Sequence, residues 1–365
     1  MNPPEDAIDF SRVKRALVIK LRHHGDVLLT SPVFSVLKGR APHVEIDALV
    51  YADTADMLTL HPAISKIHGV DRAWKHAGLA AQARAEWALL STLRRRRYDL
   101  LLHLTEHRRG MWLAKLLRPT HAVAPGLKNA DALWDESFSH FFAPVPRGNT
   151  RHVVETHLDA LRRVGIQPHE DERGLILLPG ADAHARIATL LAGHGLGARG
   201  FLHLHPASRW MFKTWPAERS AQLIDQLVKA GHRIVLTCAP TAVETGLLAN
   251  IKSLSAAPVV DLGGQLTLKE LAALTAQARA FIGVDSAPMH IAAAMGTPVI
   301  ALFGPSGEIE WGPWRVAHRT VTSTRHLCRP CGNDGCGGGK VSECLTTLPV
   351  ARVLDALGSL LDETA

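Results

Sequence analysis

Short apolar runs separated by amphipathic stretches organise this chain. Residues 16–21, 44–50 and 100–104, then 201–204, 233–237, 281–284 and 299–303, are β-branched or leucine-rich and predict strands. Between them, apolar positions recur at helical spacing over 27–38, 83–97, 153–164, 217–230, 268–278 and 287–295. Strand and helix alternate, so each strand with its crossover helix forms a right-handed unit, and repetition of the unit builds an α/β, doubly wound parallel fold. The pattern lapses between 164 and 200, where Gly165, Pro168, an acidic patch at 170–172 and Pro179-Gly180 cluster. A domain boundary belongs there, near 168–179. We take 1–172 as one Rossmann-like domain and 173–347 as a second. Residues 348–365 read as a C-terminal helix that can pack back on the first.

The length of 365 residues agrees with two such domains, and 47% hydrophobic with 21% charged residues is ordinary globular composition. Disordered and small disulfide-stapled classes are excluded. A formal charge of +7 attracts polyanions without saying which. Residues 1–10 carry Glu5, Asp6 and Asp9 and no apolar stretch, unlike a secretory signal, so a cytoplasmic location is expected. Residues 286–307 lack charge for about the length of a bilayer span, but Pro288, Gly296, Pro298, Gly304 and Pro305 interrupt them, predicting a helix and then a buried strand.

In open α/β sheets ligands bind beyond the carboxyl ends of the strands, where helix N-termini offer unpaired N–H groups. That rule selects Arg22-His23-His24-Gly25-Asp26 after the first strand. Gly25 lets the backbone bend there. Asp26 either caps a helix or, at the mouth of the crevice, accepts a proton from a substrate hydroxyl. Arg22, His23 and His24 suit an anionic acceptor. In the second half, Ser208 and Lys213 precede a helix entered at Pro216, a hydroxyl, a point charge and a dipole that together suit a diphosphate leaving group. Asp285, Ser286, Ala287, Pro288, Met289 and His290 open a helix of small residues, and Asp285 can hold a sugar hydroxyl or cap the helix. Neither GxGxxG nor GxxxxGK[ST] occurs, which argues against dinucleotide oxidoreductases and phosphate hydrolases.

Taken together, Gly25-Asp26-Val27-Leu28-Leu29-Thr30-Ser31-Pro32, Lys213-Thr214-Trp215-Pro216 and Asp285-Ser286-Ala287-Pro288-Met289-His290 resemble the ADP-heptose lipopolysaccharide heptosyltransferases, over nearly the whole chain. The first loop is most similar to the heptosyltransferase III branch. The resemblance implies a GT-B fold, with an N-terminal acceptor domain and a C-terminal donor domain facing a central cleft. It implies a metal-independent, inverting enzyme that needs no cofactor and uses ADP-L-glycero-β-D-manno-heptose. The acceptor would be a heptose of the lipopolysaccharide inner core in a Gram-negative cell. The family's base maps onto Asp26, its diphosphate lysine onto Lys213, its phosphate-loop hydroxyl onto Ser208 and its donor-contacting aspartate onto Asp285. Its acidic ribose ligand maps more loosely onto Glu244. An aspartate that also caps a helix is a weak base toward a sugar hydroxyl, so proton transfer should come late.

Cys328, Cys331, Cys336 and Cys344 fall within a short glycine-containing stretch. Only the first pair has zinc-ligand spacing, so reduced thiols are the default and a structural zinc the alternative. The arginine run 94–97, with Arg108-Arg109 and Lys14-Arg15, either ends solvated helices or guides the protein to the anionic cytoplasmic face of the inner membrane as a peripheral partner. Trp112, Trp134, Trp210 and Trp215 are core or cleft aromatics. Rival readings are a heptosyltransferase I/II-type or other ADP-sugar transferase, a nucleotide-sugar epimerase, and, in a different class, a basic zinc-containing nucleic-acid-binding protein. No reading helix supports the last, so nucleic acid is not an expected partner.

Overall fold

The structure is a computed structural model that describes residues 4–143 and 148–364. Two all-parallel sheets of six strands organise it. The first holds β1 (Arg15–Lys20), β2 (Glu45–Tyr51), β3 (Lys66–Val70), β4 (Leu100–His103), β5 (His121–Pro125) and β6 (His140–Phe142), in the order β3-β2-β1-β4-β5-β6. The second holds β7 (Leu202–His205), β8 (Ile234–Leu236), β9 (Val260–Asp261), β10 (Ala280–Val284), β11 (Val299–Phe303) and β12 (His318–Thr322), in the order β12-β11-β10-β7-β8-β9. Numbered from its own first strand, the second order is the first repeated. Each is the doubly wound arrangement whose strand order reverses beside the first strand: between β1 and β4, and between β7 and β10. The predicted α/β class is therefore present twice.

The central strands are buried because their sequences are apolar throughout. Ala16 to Ile19 in β1 and Val299 to Phe303 in β11 are almost fully inaccessible, as strands covered by helices on both faces must be. The stretch 286–307 resolves into the helix Ala287–Ala294 and β11, and no helix among the described residues is long and apolar enough to cross a membrane.

The chain divides into two compact units, but not at residue 172. The first comprises Met1–Arg147 and Val153–Leu177, the second Gly148–His152 and Leu178–Ala365. The five-residue excursion has a physical cause. Asn149 Oδ1 accepts the backbone N–H groups of Ile309 and Glu310 at 2.8 and 3.0 Å. His152 Nε2 donates to the carbonyl of Gly312 at 3.0 Å, and its ring stacks on Trp314. The expected return of the last helix to the N-terminal domain also needs correction. Val350–Glu363 packs on β12 and on the helix Ala217–Lys229, burying Val353, Leu357 and Leu360 in the core of the second unit.

Candidate active site

In the first unit, the chain leaves β1 and enters the short helix His24–Leu28, which carries Asp26 in its first turn. Gly25 lies buried inside that helix without left-handed backbone, so the predicted bend is not found at this residue. Asp26 is partly exposed, and the Nζ of Lys20 lies 4.0 Å from its Oδ1. Lys20 is buried. It donates to the Leu104 carbonyl at 3.1 Å and meets His157 Nε2 at 2.8 Å. The other nitrogen of that ring, Nδ1, lies 3.0 Å from the Leu29 carbonyl, which can only accept. His157 therefore carries its hydrogen on Nδ1, and its Nε2 accepts a hydrogen bond from the Lys20 ammonium. Burial brings the Lys20 ammonium down to about 8, against the opposing pull of Asp26.

Of the predicted acceptor residues, His24 donates from Nε2 to the Asp53 carbonyl at 2.9 Å, and Arg22 is exposed with its carbonyl held by Arg72 Nη2 at 3.0 Å. His23 is the cap residue of the helix and makes no side-chain capping bond. Arg72 also pairs with Asp53 and lies 3.6 Å above the Tyr51 ring. Lys20, His157 and Arg72 were not singled out from sequence. Lys20 left one signal, a lone charge closing an apolar strand six residues before Asp26; His157 and Arg72 left none.

In the second unit, Lys213 closes the turn Met211–Lys213 after β7, and Asp285 follows β10. Their side chains meet, Nζ to Oδ2 at 2.6 Å, with Asp285 nearly buried. This pair sits at the carboxyl ends of the two strands that flank the reversal of strand order. Ser286 caps the helix Ala287–Ala294 without a side-chain bond to its first turn, its hydroxyl turned back to the Val284 carbonyl. The side chain of Met289 is fully buried in a cluster with Phe281, Ala292 and Phe303, so only its backbone is left for a ligand. His290 is buried too. Glu310, missed from sequence, joins this neighbourhood: burial first, and the charge of Asp285 second, push its carboxyl up.

Ser208 and Glu244 carry local duties. The buried Ser208 hydroxyl accepts the Trp210 N–H at 3.3 Å. Glu244 Oε2 accepts the Ala239 N–H at 2.9 Å, while Thr241 caps the same helix, Ala242–Leu254. Trp215 is core, its indole N–H given to the Leu348 carbonyl, and Trp134 is core as well; Trp112 and Trp210 are exposed. Cys328, Cys331 and Cys336 are exposed and Cys344 buried, all as free thiols. Among the described residues no group of three or more histidine, cysteine or acidic side chains is placed to hold a metal ion.

Residues 86–341 match the model of glycosyltransferase family 9, the heptosyltransferases. Over 351 residues the chain is 34% identical to lipopolysaccharide heptosyltransferase 3 of Escherichia coli K12, covering 94% of this chain and 97% of that one. The solved glycosyltransferase of family 9 from Veillonella parvula superposes with a TM-score of 0.82 at 22% identity, covering 98% of this chain and all of the other. The E. coli heptosyltransferase WaaC, solved with ADP-2-deoxy-2-fluoro heptose, does so at 0.72 and 20%, covering 96% and 100%. The fold is thus the GT-B fold of these enzymes. The family match and the 34% identity to heptosyltransferase 3 over nearly the whole chain show that this chain is a glycosyltransferase belonging to family 9, the heptosyltransferases, and lies on the heptosyltransferase III branch.

Proposed function

We propose that this protein transfers L-glycero-D-manno-heptose from ADP-L-glycero-β-D-manno-heptose to a heptose of the lipopolysaccharide inner core, with inversion in one displacement. Asp26 takes the proton of the attacking hydroxyl, and Lys213 with the turn from Ser286 to His290 stabilises the departing ADP. The observation that carries this reading is the Lys213–Asp285 contact of 2.6 Å at the strand-order reversal. A diphosphate offers the ammonium more negative charge than one carboxylate, so donor binding would draw Lys213 onto phosphate and release Asp285 to accept a sugar hydroxyl. Ser208 and Glu244 would line the phosphate and ribose ends, Arg22, His23 and His24 the acceptor. No cofactor is required in this scheme. The acceptor is lipid-anchored, so we place the protein in the cytoplasm as a peripheral partner of the inner membrane.

Incubation with ADP-heptose and a panel of truncated core acceptors, with the product linkage read by mass and NMR, tests substrate and branch together. Transfer to an acceptor lacking the first inner-core heptose would move the protein to another branch. Asp26→Ala should bind ADP-heptose yet lose about 10²–10⁴ in rate. Normal turnover by the folded variant would refute the base assignment.

A further inference from the structure

Two helices of the first unit, Leu79–Arg96 and Arg108–Leu117, run side by side, tied by an Arg109–Glu86 ion pair of 2.6 Å and by Arg94 Nη2 donating to the Leu116 carbonyl at 3.3 Å. Both end in an arginine of left-handed backbone, Arg97 and Arg118. Between those ends lies an open cleft of about 230 Å³, lined by Arg94, Arg97, Arg118, Leu116, Tyr98 and Asp99. The one acid there is already engaged, since Asp99 Oδ2 accepts the N–H groups of Lys14 and Arg15 at 2.7 and 3.0 Å. Among the described residues, Arg84, Arg94, Arg95, Arg97 and Arg118 form no ion pair.

Large apolar side chains lead away from this cleft along both helices. Trp112 precedes Leu116 by one turn and Trp87 precedes Arg94 by two, so each shares a helix face with a residue of the cleft. Trp87 is 65% exposed and Trp112 49%, although burial is the usual fate of so large an apolar ring. Exposed tryptophans beside guanidinium groups that form no ion pair match a bilayer interface, where indole rings sit at headgroup level and arginines meet lipid phosphate.

We propose that this face docks the protein on a membrane containing anionic phospholipid, with a lipid phosphate entering the Arg94–Arg97–Arg118 cleft and Trp87, Trp112 and Leu116 seated at the interface. The proposal rests on the peripheral membrane contact proposed above and supplies its surface. It uses no residue of the active site.

Sedimentation of the full chain with vesicles tests it. Wild type should partition at least about tenfold more strongly onto phosphatidylethanolamine vesicles containing phosphatidylglycerol than onto phosphatidylcholine alone, and salt should release it. The triple variant Arg94→Glu/Arg97→Glu/Arg118→Glu and the double variant Trp87→Ser/Trp112→Ser should each lose about tenfold or more of that binding. Both should turn over a soluble truncated acceptor at the wild-type rate, which certifies folding. If wild type binds and the triple variant binds equally, this surface is wrong while peripheral attachment stands. Failure of wild type to bind anionic vesicles removes the attachment itself. Inorganic phosphate that quenches tryptophan fluorescence without vesicle binding, or duplex DNA that binds more tightly than vesicles, would overturn the lipid assignment.

Discussion

A lysine at the end of a buried strand must find three acceptors or give up its proton, and Lys20 does part of both. The Leu104 carbonyl and His157 take two of its hydrogens, leaving the third side of the ammonium toward Asp26 at 4.0 Å. With Asp26 as the proposed base, Lys20 holds the carboxylate in place. Lys20→Met should therefore lower kcat about tenfold or more with little change in KM for the donor, the size expected when one charge partner is removed. Because the ammonium titrates near 8, wild-type kcat should fall above that pH as Lys20 loses its charge, and the variant should lack this alkaline limb. A pH profile of both proteins checks the pair. Another constraint lies at Gly110, where a Cβ would come within 2.1 Å of the His103 ring. Gly110→Ala should cost about 1–3 kcal/mol, measured by urea unfolding. Asp26, Lys213 and Asp285 were legible because each follows a strand in a recognisable string. Lys20 and Glu310 were not, since their roles come from neighbours distant in sequence.

Among the elements, the strands read correctly from sequence were the inner ones. Every edge strand escaped: β3, β6, β9 and β12. An edge strand is covered on fewer sides and needs no continuous apolar run, and here these strands are short or polar, as in His-Arg-Thr-Val-Thr of β12. The inner strand β5 also escaped, closed by Pro125 and opened by His121. The predicted helix over 27–38 is broken into His24–Leu28 and Ser31–Arg40, because Thr30 turns its hydroxyl onto the Val27 carbonyl at 2.6 Å and Pro32 opens a new helix. Helix ends make their own prediction. Thr267 and Glu270 form a reciprocal capping box on Leu268–Gln277, a helix that buries Leu271, Ala272 and Leu274. Thr267→Ala should destabilise the protein by about 1 kcal/mol in denaturant titration without altering turnover.

For the molecule as a whole, pH bears on stability through histidines held neutral in its interior. Burial brings His61 down to about 4 and His103 and His205 to about 3, and places His203 well below its ordinary value. Near pH 5 the unfolded chain binds a proton at each of these and the native protein does not, an uptake of about four protons on unfolding. Stability should be unaffected by these groups above about pH 6.5 and fall steadily from there toward pH 4; a thermal melting series across that window should show it, and a flat profile would contradict neutral burial. The excursion of residues 148–152 carries a different consequence. Gly307 has no room for a Cβ, since Asn149 Oδ1 would lie 2.3 Å from it, and the same oxygen serves as the cap of the helix Glu308–Trp311. A turn in the later half is thus finished by a side chain made 160 positions earlier. The second unit is therefore more than the continuous run from residue 178: a fragment beginning there would be born with that helix uncapped, beside the very aspartate that meets Lys213.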